Sequence, residues 1–126
     1  MNYEKLAKEV SDKAYSPYSK IKVGAVVLTD DGKHFLGCNV ENASYGATVC
    51  AERNAIFQAI TAGSKILTHV YIYSDKGFPP CGICRQVIQE FSQEDTKVTI
   101  IDGSSNKKTV NFSELLPYNF NKDYLD

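Results

Sequence analysis

Apolar side chains recur at helical spacing over residues 2–14, where Tyr3, Leu6, Ala7, Val10 and Ala14 have charged positions between them. This pattern predicts an amphipathic helix, which Ser16-Pro17 ends. From 21 to 29 the chain is β-branched and apolar, Asp30-Asp31-Gly32 supplies a turn, and 34–38 resumes, so a hairpin is expected. Residues 39–49 are polar and contain glycine, which predicts a loop. Helix formers return over 50–62, with Ala51, Ala55, Ile56, Ala59 and Ile60 as the apolar stripe and Gly63 as the stop. Residues 67–74 read as a buried strand, 75–80 as a turn-rich loop, and 81–91 as another helix with Pro80 just before its first turn. A further strand is expected over 98–102, a turn over 103–108 and a short extended piece over 109–112. Ser113 and Glu114 open a last helical turn that Pro117 limits. The alternation predicts an α/β fold in which helices cover a mixed sheet.

The 126 residues suit a single domain over 1–126, and 43% hydrophobic with 23% charged residues is ordinary for a globular chain. Net charge is -1, from 14 Lys+Arg against 15 Asp+Glu, and Lys107-Lys108 is the only adjacent basic pair. A phosphate polymer calls for concentrated positive charge, so no nucleic acid polymer is expected as a partner. No run approaches the roughly 20 apolar residues of a membrane span, so no membrane partner is expected either. The opening MNYEKLAKEVSDKAYS lacks the apolar stretch of a secretory signal, which makes the cytoplasm the expected compartment.

In that setting the four cysteines, Cys38, Cys50, Cys81 and Cys84, favour metal or redox chemistry over a disulfide framework. Two motifs concentrate them: Cys50-Ala51-Glu52-Arg53 at one predicted helix start and Pro80-Cys81-Gly82-Ile83-Cys84 at the next. Cys81 and Cys84 lie three apart, so a helical first turn puts both thiols on one side. Cys50 supplies a third thiolate if the two helix starts converge. Three protein ligands leave one tetrahedral position open, the layout of catalytic rather than structural zinc. Helix N-termini favour thiolates, and they offset part of the excess negative charge that three sulfurs bring to a dication. Arg53 is expected to donate to a ligand sulfur. Glu52, two residues past Cys50, is placed to move protons beside the metal without ligating it.

Other readings stand beside this one. A lone Cys-x-x-Cys also suits a thioredoxin-like redox site or half of a structural zinc knuckle. A closed structural site would need a fourth ligand, and Cys38, His34 and His69 are the spare ones. Cys38 reads more naturally as core, the histidines as packed or surface residues, and Glu52 alone as a solvated first-turn acid.

The combination CAE with PCGIC resembles the cytidine deaminase family, and the likeness extends through SPYSKIKVGAVV, GCNVENASYG, TVCAERNAIFQAI, PPCGICRQVIQEF and ELLPYNF. The resemblance implies a three-layer α/β/α fold on a mixed sheet of about five strands. It implies one zinc ion on Cys50, Cys81 and Cys84, with Glu52 as the proton shuttle. Asn39 and Glu41 match the pair that meets a sugar hydroxyl, and the backbone of Ala51 matches the position that meets the pyrimidine edge. Phe120 matches an aromatic that reaches a neighbouring subunit's substrate, and Tyr45 lies near that shared site. Relatives carry an aromatic where this chain has Ile21, so base packing is expected to differ. The implied activity is hydrolytic deamination of cytidine and 2′-deoxycytidine in pyrimidine salvage, by a homotetramer with sites at subunit boundaries. Blasticidin-S, nucleotide and RNA-editing deaminases share the zinc core. The editing enzymes more often use His as first ligand and carry a basic surface, unlike this chain. From a different class, a non-catalytic zinc-stabilised scaffold or a redox protein predicts closed zinc or a reversible Cys81–Cys84 disulfide.

Overall fold

The structure, a computed structural model, describes residues 1–125. The first helix, α1 (Tyr3–Ser11), starts where the Asn2 side chain accepts from the Lys5 N–H at 3.0 Å, an N-cap that replaces a missing intrahelical partner. A hairpin follows, β1 (Val23–Thr29) and β2 (His34–Cys38), then α2 (Ala51–Thr61), which Ala62 and Gly63 end. Next come β3 (Leu67–Ser74), α3 (Gly82–Phe91), β4 (Ser92–Ile101) and β5 (Lys107–Asn111), with 3-10 turns at Tyr45–Ala47, Phe112–Glu114 and Lys122–Leu125.

The five strands form one sheet in the order β2-β1-β3-β4-β5. Only β3 and β4 run parallel, and α3 is the crossover that a parallel neighbour requires. Period-two alternation sends Ala25 and Val27 to one face and Val26 to the other. On the Val26 side, α1 packs through Ala7, with Ile101. On the opposite side, α2 and α3 bury Ala55, Ile56, Ala59 and Ile88 against Val70 and Val98. Two helical layers on one mixed sheet give the three-layer α/β/α fold that the sequence predicts. Among the described residues no helix is long and apolar enough to cross a membrane.

The starts of β1 and β4 differ from expectation. The first strand begins at Val23, because Ile21 and Val23 give backbone groups to the Asn39 side chain instead of to a neighbouring strand. β4 begins at Ser92 rather than 98: Gln93, Glu94 and Asp95 are exposed and polar, so periodicity reads a loop, yet Ser92 pairs with Leu67. The loop over 39–49 is pinned by bridges from Val40 to Tyr15 and Val49.

The start of β1 and the ends of β2 and β3 share one end of the sheet, where Val23 pairs with Ser74 and Gly24 with Cys38. Both α2 and α3 start there. Their approach is close: a Cβ on Gly37 of β2 would sit 2.4 Å from the Ala51 carbonyl oxygen and 2.5 Å from the Ala55 nitrogen. Gly37 therefore lets the first turn of α2 lie directly on the strand.

Candidate metal centre and adjoining pocket

Each helix that starts at this end has a cysteine as its N-cap residue, Cys50 for α2 and Cys81 for α3. In α3 the Cys84 N–H points at Cys81 Sγ, 3.5 Å away, so the backbone itself directs donors at sulfur. The Sγ atoms of Cys50, Cys81 and Cys84 lie within 4.8 Å of one another, with Cys50 and Cys81 3.8 Å apart. Metal–sulfur bonds of about 2.3 Å in a tetrahedron give a sulfur–sulfur edge of about 3.8 Å, so the donor set fits zinc in both chemistry and spacing. Among the described residues neither Cys38 nor a histidine joins this group, and all four cysteines are free thiols. His69 is instead stacked on Tyr71 and bonded to Thr99, while His34 packs near Tyr3.

The electrostatics follow from these contacts. The Cys50 thiol is pushed down to about 5, first by the hydrogen bond from Cys84 and then, against burial, by Arg53 and Cys81. Cys84 is pushed up, because it holds the proton it shares with Cys50, is buried, and faces the Glu52 charge. Arg53 donates from Nη2 to Cys50 Sγ at 3.4 Å and to the Thr48 carbonyl at 3.5 Å. Glu52, in the first turn of α2, is 4% exposed, and burial raises its carboxyl to about 7, helped by the Cys50 charge. A buried carboxyl of that kind both holds and releases a proton near neutrality.

Arg85 braces the second ligand segment. Its Nε donates to the Pro80 carbonyl at 2.7 Å and its Nη1 to the Leu115 carbonyl at 2.8 Å.

A pocket of about 400 Å³ opens on this group, within the range of small-molecule sites. Cys50, Cys81, Ala51 and Glu52 border it, while Cys84 is buried and is not among the bordering residues. Asn39, Glu41, Ser19 and Thr48 supply its polar edge, and Ile21, Val23, Ile72, Phe78 and Pro79 its apolar wall. The Asn39 amide accepts from the Val23 N–H at 2.9 Å and donates to the Ile21 carbonyl at 2.8 Å, so it also fixes that wall. Glu41 accepts from the N–H groups of Tyr18 and Ser19 at 3.0 and 3.1 Å and from the Ser19 hydroxyl. The Ser19 hydroxyl leads the contacts that hold its carboxyl below the usual range, so Glu41 is ionised and acts as an acceptor.

Of the site residues expected from sequence, Asn39, Glu41, Cys50, Ala51, Glu52, Cys81 and Ile21 border this pocket. Tyr45 borders a neighbouring cavity with Tyr18, Ser19, Glu41 and Thr48, and meets Tyr18 edge-on at 5.7 Å. Phe120 is not brought to the pocket of its own chain: it is 60% exposed and stacks on Tyr124 at 6.0 Å. Sequence reasoning missed Ser19, Thr48, Phe78 and Pro79. The adjacency of Phe78-Pro79 to Pro80-Cys81 was the available signal. A wider groove of about 760 Å³ along α2 has no acidic or basic side chain on its border and shares no border residue with this pocket.

The family model for the cytidine and deoxycytidylate deaminase zinc-binding region matches residues 1–100. A cytidine deaminase of Halalkalibacterium halodurans is 43% identical over 115 residues, 90% of this chain and 87% of that protein. One from Sporosarcina psychrophila is 39% identical over 99% of this chain and 96% of its own length. The crystal structure of cytidine deaminase from Burkholderia pseudomallei superposes with a TM-score of 0.89 at 40% identity, covering 94% of this chain and 96% of that one.

Proposed function

The chain belongs to the cytidine and deoxycytidylate deaminase family, and from that premise we propose that it is a zinc-dependent nucleoside deaminase, converting cytidine and 2′-deoxycytidine with water to uridine, 2′-deoxyuridine and ammonia. The observation that carries this reading is a buried Glu52 carboxyl on the border of a pocket whose neighbouring border is cysteine sulfur, from a group of three whose spacing fits zinc.

Cys50, Cys81 and Cys84 would hold the zinc, which supplies Lewis-acid activation of water when bound. Glu52 takes one proton from the attacking water and places it on N3 of the base, which makes C4 electrophilic. The C4–O bond forms, Glu52 carries the second water proton to the exocyclic amine, and the C4–N bond breaks to release ammonia. One buried carboxyl on the pocket border serves both transfers. The Ala51 backbone meets the pyrimidine edge, and Asn39 with ionised Glu41 holds the sugar hydroxyl. A carboxylate on that edge favours a free hydroxyl over a phosphate, which supports a nucleoside over a nucleotide or polymer.

The same reading places a single domain over 1–126 in the cytoplasm, serving pyrimidine salvage, as a homotetramer in which Phe120 and Tyr45 approach a neighbour's site. Its support is the exposure of Val40, Phe57, Ile83 and Phe120, apolar groups that association would cover. A monomeric elution profile with full activity overturns the shared site. The activity itself is tested by zinc content per chain and by ultraviolet loss on mixing with cytidine, deoxycytidine, their monophosphates and blasticidin S. One zinc per chain with turnover of the free nucleosides is expected. Metal-free protein with a reversible Cys81–Cys84 disulfide and no turnover defeats it.

A further inference from the structure

The apolar wall of the catalytic pocket contains one aromatic side chain among the described residues, Phe78. Its companions Ile21, Val23, Ile72 and Pro79 offer no π-face. Phe78 is 37% exposed, so surface is left for a ligand to cover. Its backbone is held firmly. The Phe78 N–H donates to Ser74 Oγ at 2.7 Å, and Ser74 is itself buried. Gly77 makes the preceding turn at φ +67°, where a side chain is disfavoured. Pro79 and the fully buried Pro80 follow and lead directly into Cys81. The ring is therefore presented by the same stiff segment that delivers a metal ligand.

Phe78 and Ile21 also border a second cavity, of about 360 Å³, whose other border residues include Lys20, Lys22, Lys76, Asp12 and Asp75. These two residues are the ones common to the borders of the catalytic pocket and the charged cavity.

We propose that Phe78 is a specificity-determining residue of this site: its ring lies against the face of the pyrimidine and, with Ile21, separates the base from the charged cavity behind. The assignment rests on the nucleoside deaminase reading above. A planar heteroaromatic base gains from an aromatic face what an aliphatic side chain of similar size does not supply.

The test compares F78A, F78L and F78Y with the wild-type holoenzyme. It measures KM and kcat for cytidine, zinc per chain, and uridine binding by calorimetry. F78A is expected to raise KM and the uridine Kd about ten-fold, through loss of one base–aromatic contact, with kcat changed by less than about two-fold and zinc retained. F78Y restores the wild-type KM, and F78L does not. A wild-type KM in F78A, an F78L equal to wild type, or zinc loss in all three variants overturns the assignment. A wild-type chain inert toward cytidine sinks the deaminase reading together with this one, whereas an active wild type with an indifferent F78A sinks the assignment alone.

Discussion

Replacing Gly37 by alanine tests whether the catalytic turn is positioned by backbone contact with β2. The added Cβ would lie 2.4 Å from the Ala51 carbonyl oxygen, and ordinary contact begins at 3.4 Å, so the first turn of α2 must retreat by about 1 Å. The three nearest obstructing atoms, Ala51 O and the Ala55 N and Cα, are all helix backbone, so no side chain can rotate out of the way. Overpacking of this kind costs about 1–3 kcal/mol. An unfolding entropy of about 2.1 cal/mol/K per residue over 126 residues makes each kcal/mol worth about 4 °C. Tm is therefore expected to fall by about 4–12 °C. Glu52 rides on the displaced turn, and a 1 Å misplacement of a catalytic group costs on the order of 100-fold in rate. Calorimetry and a continuous ultraviolet assay on the zinc-loaded variant read both quantities, with zinc per chain as the control. A G37A protein with wild-type Tm and kcat would falsify the claim that this contact seats the helix.

Glu52→Gln should keep one zinc per chain and lose about 10²–10⁴-fold in kcat, since it removes the proposed proton carrier; retained turnover ends the shuttle role. Arg53→Ala removes the donor to Cys50 Sγ, so that thiol rises from about 5 and zinc loading, which needs thiolate, fails at a higher pH than in the wild type. Chelator competition across pH should also show about ten-fold weaker binding, and superimposable curves would exclude the contribution. Ile21→Phe adds a second ring to the pocket wall beside Phe78 and should lower KM for cytidine, with a rise in KM counting against it.

The chemistry was more legible in the sequence than the pocket that contains it. Cys50, Glu52, Cys81 and Cys84 announce themselves because each sits at a helix start, where spacing alone puts side chains on one side. The layers were legible too, since β1 runs without a charged or polar side chain from Val23 to Leu28, β3 is apolar or aromatic from Val70 to Tyr73, and α1 carries a clean stripe. Residues 92–97 escaped because their pairing depends on Thr96, buried and bonded to the Leu67 carbonyl at 2.6 Å, a partner 29 positions away that periodicity cannot see. Phe78 escaped for a related reason. It borders the site only because β3 ends beside the start of β1, a fact of strand order rather than of local pattern. The backbone bonds of the Asn39 amide likewise exist only once the hairpin has closed.

Arg85 has a mechanical consequence. One guanidinium grips the carbonyl next to Cys81 with one nitrogen and the Leu115 carbonyl, near the chain's far end, with another. Gln86, its neighbour on α3, fastens the Phe120 carbonyl at 2.8 Å. The tail is thus tied down across the helix that begins after Cys81 and carries Cys84. A single arginine therefore makes the residue before Cys81 and the segment at Leu115 share one anchor, so a change at either is felt at the other's hydrogen bond.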